Sequence, residues 1–159
     1  MKRVIALLME NQPGALSRVV GLFSQRGYNI ETLNVGPVFD GSYSRMTVTT
    51  RGSEHDVEQI TKQINKIIDV IKVSDLTEGD HHEYEFIMIK FKKSSKIQKI
   101  LKNLNGKIHE KSKDAMVMSA WGPSSDIEVA IKAIGKVNLL EIARSGSIGL
   151  HEGTKVLKI

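Results

Sequence analysis

Hydrophobic positions along the chain switch between two periods, and the switches mark its elements. Lys2–Met9 is almost continuously apolar, which predicts a covered strand. Leu16, Val19, Val20 and Phe23 then recur at helical spacing, and Gly27 stands where a helix-terminating glycine is expected. Ile30–Val35 is rich in β-branched residues and predicts a second strand. Pro37 and the Asp40-Gly41 pair predict a hairpin turn. In Tyr43–Thr50, Met46 and Val48 alternate with polar neighbours, as in a strand with one covered face. Ser53 is placed to cap a helix whose stripe is Val57, Ile60, Ile64 and Ile67. Val70–Leu76 predicts a fourth strand, and the polar run 77–82 a linker.

The same rhythm then repeats. Tyr84–Phe91 reads as a strand. Ile97, Ile100, Leu101 and Leu104 form a helix stripe that closes near Gly106. Lys107–Glu110 and Ala115–Trp121 read as strands around Lys113-Asp114. Ser125 and Glu128 have capping-box spacing, with Ile127, Ala130, Ile131 and Ile134 behind them. Leu139–Ala143 is a last strand, followed by a glycine-spaced tail. The order is βαββαβ twice, the ferredoxin-like plan: α+β, with an antiparallel sheet and two helices on one face. The expected division is 1–78 and 79–159.

Composition narrows this picture. The chain of 159 residues has no cysteine, which removes disulfides, thiolate nucleophiles and Cys-based zinc sites and suits a reducing, cytoplasmic setting. No apolar run approaches the ~18 residues of a membrane span. The opening Met1-Lys2-Arg3-Val4-Ile5 lacks the continuation of a signal peptide and reads as the first strand. The net charge of +5 is uneven: residues 1–79 carry nine basic and nine acidic side chains, residues 80–159 fourteen and nine. Nine lysines and one acid, Glu110, lie between Lys90 and Lys113. Such a stretch suits an acidic or phosphate partner, or simply a solvated face.

Catalytic patterns are missing from the sequence: it holds no Gly-x-Gly-x-x-Gly, Walker loop or Gly-x-Ser-x-Gly. His81 and His82 are adjacent, so on an extended chain they point apart and make a poor chelating pair. No metal site is expected. RNA recognition on this fold needs aromatics on the central strands; Tyr43, Tyr84, Phe86 and Phe91 are candidates that serve equally as core.

One loop carries more information. Asn11-Gln12-Pro13-Gly14 lies between the first strand and the first helix. The leading amides of a helix lack intrahelical partners, and its dipole makes that end partly positive, so it suits a carboxylate or phosphate. Gly14 has no side chain to block an approaching ligand, and Asn11 offers both donors and an acceptor. A free amino acid needs this combination; a plain helix-capping turn is the competing reading.

Asn11-Gln-Pro-Gly-Ala-Leu16 resembles the ligand loop of ACT domains, ferredoxin-like modules that sense amino acids. Gly14–Gly36, Ser44–Val48, Gln63–Val73 and Glu141–Leu150 together resemble the regulatory small subunits of acetolactate synthase (acetohydroxyacid synthase). The resemblance is densest in residues 1–76 and 139–150. It implies a subunit with no catalytic site or cofactor of its own. The partner it implies is a large subunit that uses thiamine diphosphate, Mg²⁺ and FAD to condense pyruvate with pyruvate or 2-oxobutyrate. It further implies activation of that large subunit, feedback inhibition by valine in branched-chain amino acid synthesis, and a homodimer paired through the ACT domain. The implied effector site joins Asn11, Gln12, Pro13, Gly14, Ala15 and Leu16 of one chain to Asn29 and Ile30 of the other, with no nucleic acid or membrane involved. Two alternatives stay open: an ACT sensor of another amino acid serving another enzyme, and a small nucleic-acid-binding protein.

Overall fold

The computed structural model describes residues 1–38 and 40–157, which divide into two compact units. The first comprises Met1–His82 together with Ser147 onward, and the second Glu83–Gly146.

In the first unit, β1 (Lys2–Glu10), α1 (Ala15–Gln25), β2 (Ile30–Val38), β3 (Tyr43–Arg51), α2 (Glu54–Ile64) and β4 (Val70–Asp75) follow in order. The sheet runs β2-β3-β1-β4, antiparallel throughout. This is the expected ferredoxin-like arrangement. Ile5, Leu7, Met46 and Val48 meet Val19, Phe23, Val57, Ile60 and Ile64 in its main core. Ser53 caps α2 in a full capping box with Asp56, as its position predicts. Pro37 departs from expectation. It lies within β2 rather than in the turn, and β2 is an edge strand, where a missing N–H costs no ladder bond.

The expected single covered face of β3 is also corrected, because Thr47 and Thr49 are buried along with Met46 and Val48. The covering element is the chain's own tail. The segment expected as glycine-spaced tail forms β9 (Ile148–His151). It pairs with β5 (His81–Lys92), whose first residues, His81 and His82, fall in the first unit rather than in a linker. Val4, Ala6 and Leu76 form a second small core, with Leu157 packed against it. Residues from Ser147 onward therefore belong with the first unit, whereas the expected division placed all of 79–159 in the second.

His151 gives this tail a pH dependence. Its Nε2 lies 2.7 Å from Ser74 Oγ. Burial pushes the imidazole down from its ordinary pKa; Lys155, His81 and Arg45 push the same way, and Asp75 pulls back. The unfolded tail therefore binds more protons as pH falls below about 6.5, so seating is fully stable above that value and weakens below it. Hydrogen exchange of the tail amides, corrected for intrinsic rates, should show protection falling between about pH 7.5 and 5.5. His151→Gln should flatten that dependence.

The second unit repeats the plan with the body of β5, α3 (Ser95–Lys102), β6 (Lys107–Lys111), β7 (Ala115–Pro123), α4 (Ser124–Ile134) and β8 (Leu139–Arg144), in the order β6-β7-β5-β8. Ile87, Ile89, Phe91, Met116 and Met118 pack on Ile97, Leu101, Ile127 and Ile134. The capping box expected from Ser125 and Glu128 does not form. Helix α4 begins two residues earlier, behind Pro123 as its N-cap, with no side-chain cap, and Glu128 pairs instead with Arg144.

Candidate functional site

Strand β1 ends at Glu10, whose N–H donates to the Asp69 carbonyl at 2.8 Å. The chain then turns through Asn11–Gly14 into α1. Asn11 ties the loop to the β2–β3 hairpin twice: its backbone N–H reaches Ser42 O at 2.9 Å, and its Nδ2 reaches Gly41 O at 2.8 Å. Of the groups expected to serve a ligand, the Asn11 side-chain amide is thus partly spent on the fold. The Ala15 N–H closes a turn onto Gln12 O at 3.2 Å. Among the amides expected to hold a carboxylate, that of Leu16 lies in the first turn, where no intrahelical acceptor exists; the Ser17 amide, outside the expected set, shares that position.

Gly14 is the N-cap of α1, with φ 89° and ψ −18°, and no side chain caps this helix. That left-handed conformation explains the glycine independently of any ligand. The first turn of α1 also holds no acidic residue. A cation bends back over it instead. Helical side chains lean toward the N-terminus, and Arg18 Nη1 lies 3.0 Å from where a Cβ on Gly14 would sit. Arg18 Nε and Nη2 form a fork onto Asp69 at 2.5 and 2.8 Å. The guanidinium holds the Asp69 carboxyl below its ordinary pKa, against the opposing effect of burial. Asp69 is buried, so this pair fixes the loop between α2 and β4 against the mouth of α1.

Asn29 and Ile30 stand at the head of β2. Asn29 is exposed, and its carbonyl accepts from Thr50 Oγ1 at 2.7 Å. Ile30 packs against the main core, and Leu16 is 37% exposed. A cavity of about 570 Å³ in the first unit is lined by Gly14, Ser17, Arg18, Leu22 and Ile67 among others, and Gly14 alone of the expected residues contributes to it. Sequence reasoning missed Arg18 and Asp69. Arg18 had a readable signal, since it lies one helical turn beyond Gly14 with no acid before it; Asp69 had none.

The second unit presents a different surface. All nine lysines from Lys90 to Lys113 are exposed. Tyr84, Phe86 and Trp121 lie on its two central strands at 42–48% exposure, while Phe91 is core. Glu85 is buried and held by Arg144. Among the described residues no group of three or more His, Asp and Glu is arranged to hold a metal ion, and no helix is long and apolar enough to cross a membrane.

Two ferredoxin-like units in series, the first with a glycine-entered and uncapped first helix, give an ACT-type fold. Residues 5–72 match the family model described as an AHAS small subunit-like ACT domain, and residues 84–153 the model described as the small subunit of acetolactate synthase. The chain is 40% identical over 163 residues to the acetolactate synthase isozyme 3 small subunit of Escherichia coli (strain K12), covering 99% of this chain and 100% of that protein. It is 37% identical over 160 residues to the acetolactate synthase small subunit of Bacillus subtilis (strain 168), covering 98% and 93%. The crystal structure of the acetolactate synthase small subunit from Thermotoga maritima superposes with a TM-score of 0.85 at 28% identity, covering 98% of this chain and 99% of that one. The chain belongs to the acetolactate synthase small-subunit family.

Proposed function

We propose that this chain regulates an acetolactate synthase large subunit, raising its activity in the absence of valine and restraining it when valine binds. The observation that carries this reading is the match to small-subunit relatives along the whole chain, through both units. The catalytic cofactors, thiamine diphosphate, Mg²⁺ and FAD, belong to the large subunit in this reading.

The effector site is completed by a second copy of the chain. Leu16 and Ser17 amides and the Arg18 cation favour the ligand carboxylate on one side; Asn29 of the partner copy supplies polar contacts on the other. One feature supports a shared site: Asn29 stands exposed at the head of β2, where a second copy could reach it.

Reconstitution with the large subunit tests the reading. Acetolactate formation should rise on adding this chain and fall on adding valine. Parallel titrations with leucine, isoleucine, serine and phenylalanine identify the effector; a response to serine or phenylalanine alone would replace valine with another amino acid. Ultracentrifugation of the isolated chain should show a dimer that valine strengthens, because a ligand that binds only the dimer must favour it. A monomer indifferent to saturating valine contradicts the shared site.

A further inference from the structure

The tail crosses the outer face of the first unit's sheet from one edge to the other. The Ser147 N–H points at Thr32 Oγ1 on β2, at 3.4 Å. Two residues on, Gly149 O accepts from Arg45 Nη2 on β3 at 2.7 Å. A Cβ on Gly149 would lie 3.6 Å from Val4 on β1 and 2.5 Å from Leu76, just beyond β4. Two residues further, His151 meets Ser74 on β4. The strap thus touches β2, β3, β1 and β4 in their order across the sheet.

Its seating depends on backbone groups and small size more than on apolar burial. Ile148 and Leu150, the side chains between the contact points, are 46% and 58% exposed. Gly146 and Gly153 flank the strap in left-handed conformations, at φ 75° and 71°. Beside these contacts β9 pairs with β5, and the strap's own side chains bury little apolar surface. Two of its contacts are nonetheless costly to lose. Arg45 is half-buried, which pushes its pKa down, and it forms no ion pair with a carboxylate among the described residues. Gly149 O is therefore a principal partner of a half-buried cation. Thr32 Oγ1 also bonds Thr49 Oγ1 at 2.7 Å, so the Ser147 contact depends on how β2 lies against β3.

Strand β2 begins at Ile30, next to Asn29 and two residues before Thr32. At its other end the strap continues through Gly146 and Ser145 into Arg144, the last residue of β8. We propose that Ser147–His151 is a relay strap: effector occupancy at the head of β2 resets Thr32 and the strap, and the chain carries that change to the second unit. This rests on the functional reading above and adds the route by which the effector acts.

Hydrogen exchange of the full-length chain, with and without saturating valine, reads the strap directly. Protection of the amides from Ser147 to Glu152 should change by roughly fivefold or more on binding. Thr32→Val keeps a β-branched residue in the strand and removes the hydroxyl. It should bind valine within about threefold of the natural chain by calorimetry, while valine inhibition of the reconstituted enzyme weakens roughly tenfold. Gly149→Ala, which presses a methyl toward Leu76, should behave alike. If valine inhibits the natural enzyme while the strap amides stay unmoved and both variants are inhibited normally, the relay is wrong and the functional reading stands. If valine neither binds nor inhibits with the natural chain, both fall together.

Discussion

Replacing Arg144 with methionine should destabilise the second unit by about 3–5 kcal/mol, the range for removing one partner of a buried ion pair. The Glu85 side chain is only 1% exposed. Arg144 Nε and Nη2 grip its two oxygens at 2.6 and 2.8 Å, and Nη2 also reaches Glu128 at 2.6 Å. This fork fastens β8 and α4 to the central strand β5, which loses its hold on both when the guanidinium is gone. The carboxylate then stays in the interior with no cation, and that penalty exceeds the modest net value of the intact pair. Trp121, the only tryptophan, lies in the second unit, so its fluorescence follows this unit's melting. For a unit of this size the midpoint should fall by more than about 10 °C. Combining Arg144→Met with Glu85→Leu should recover much of the loss, because no charge is then stranded. A drop of only a degree or two for Arg144→Met would class the pair with exposed ion pairs, worth ~1 kcal/mol or less.

What the sequence made legible follows from where burial and periodicity coincide. The stripe Val57, Ile60 and Ile64 packs into the first core, and Ile97 and Leu101 into the second; both helices announce themselves by spacing. The tail is the opposite case. Its inward positions are Ser147, Gly149 and His151, and its apolar residues Ile148 and Leu150 face outward. The hydrophobic pattern is inverted there, because the strap seats by backbone hydrogen bonds and by the absence of a side chain at Gly149. Periodicity has nothing to report in such a segment. Ser125 and Glu128 show how local spacing misleads: the pattern suits a capping box, but Glu128 is drawn to Arg144, 16 residues away.

The candidate site divides in the same way. Pro13 and Gly14 mark the loop from sequence alone, and Gly14 does enter the helix as its N-cap. The need for a glycine is conformational, however, so the residue by itself does not separate a ligand loop from a capping turn. The Arg18–Asp69 fork joins residues 51 apart, and no local pattern connects them. Equally invisible was the use of the Asn11 amide to hold Gly41, which gives that side chain a structural duty beside any binding role.

Gly14→Asp should abolish the valine response of the reconstituted enzyme, and the comparison that isolates the cause is Gly14→Asn. Both residues visit the left-handed region more readily than other side chains, so both meet the φ of 89° at a similar, moderate strain. Both also place a Cβ about as near to Arg18, whose flexible guanidinium must give way. They differ in charge. The aspartate carboxylate stands where the ligand's own is expected and competes for Arg18; at ~4 Å in a partly screened setting the like-charge repulsion is on the order of a few kcal/mol. That corresponds to a loss of affinity of roughly a hundredfold or more. The asparagine adds bulk without charge and should cost roughly tenfold, about 1.4 kcal/mol. An aspartate also suits the positive end of a helix, so folding and activation of the large subunit should survive. Calorimetry with valine and inhibition curves for both variants settle the matter. Equal losses would mean that shape alone governs the loop. A normal valine response in both would mean that Asn11–Gly14 is a capping turn and that the effector binds elsewhere.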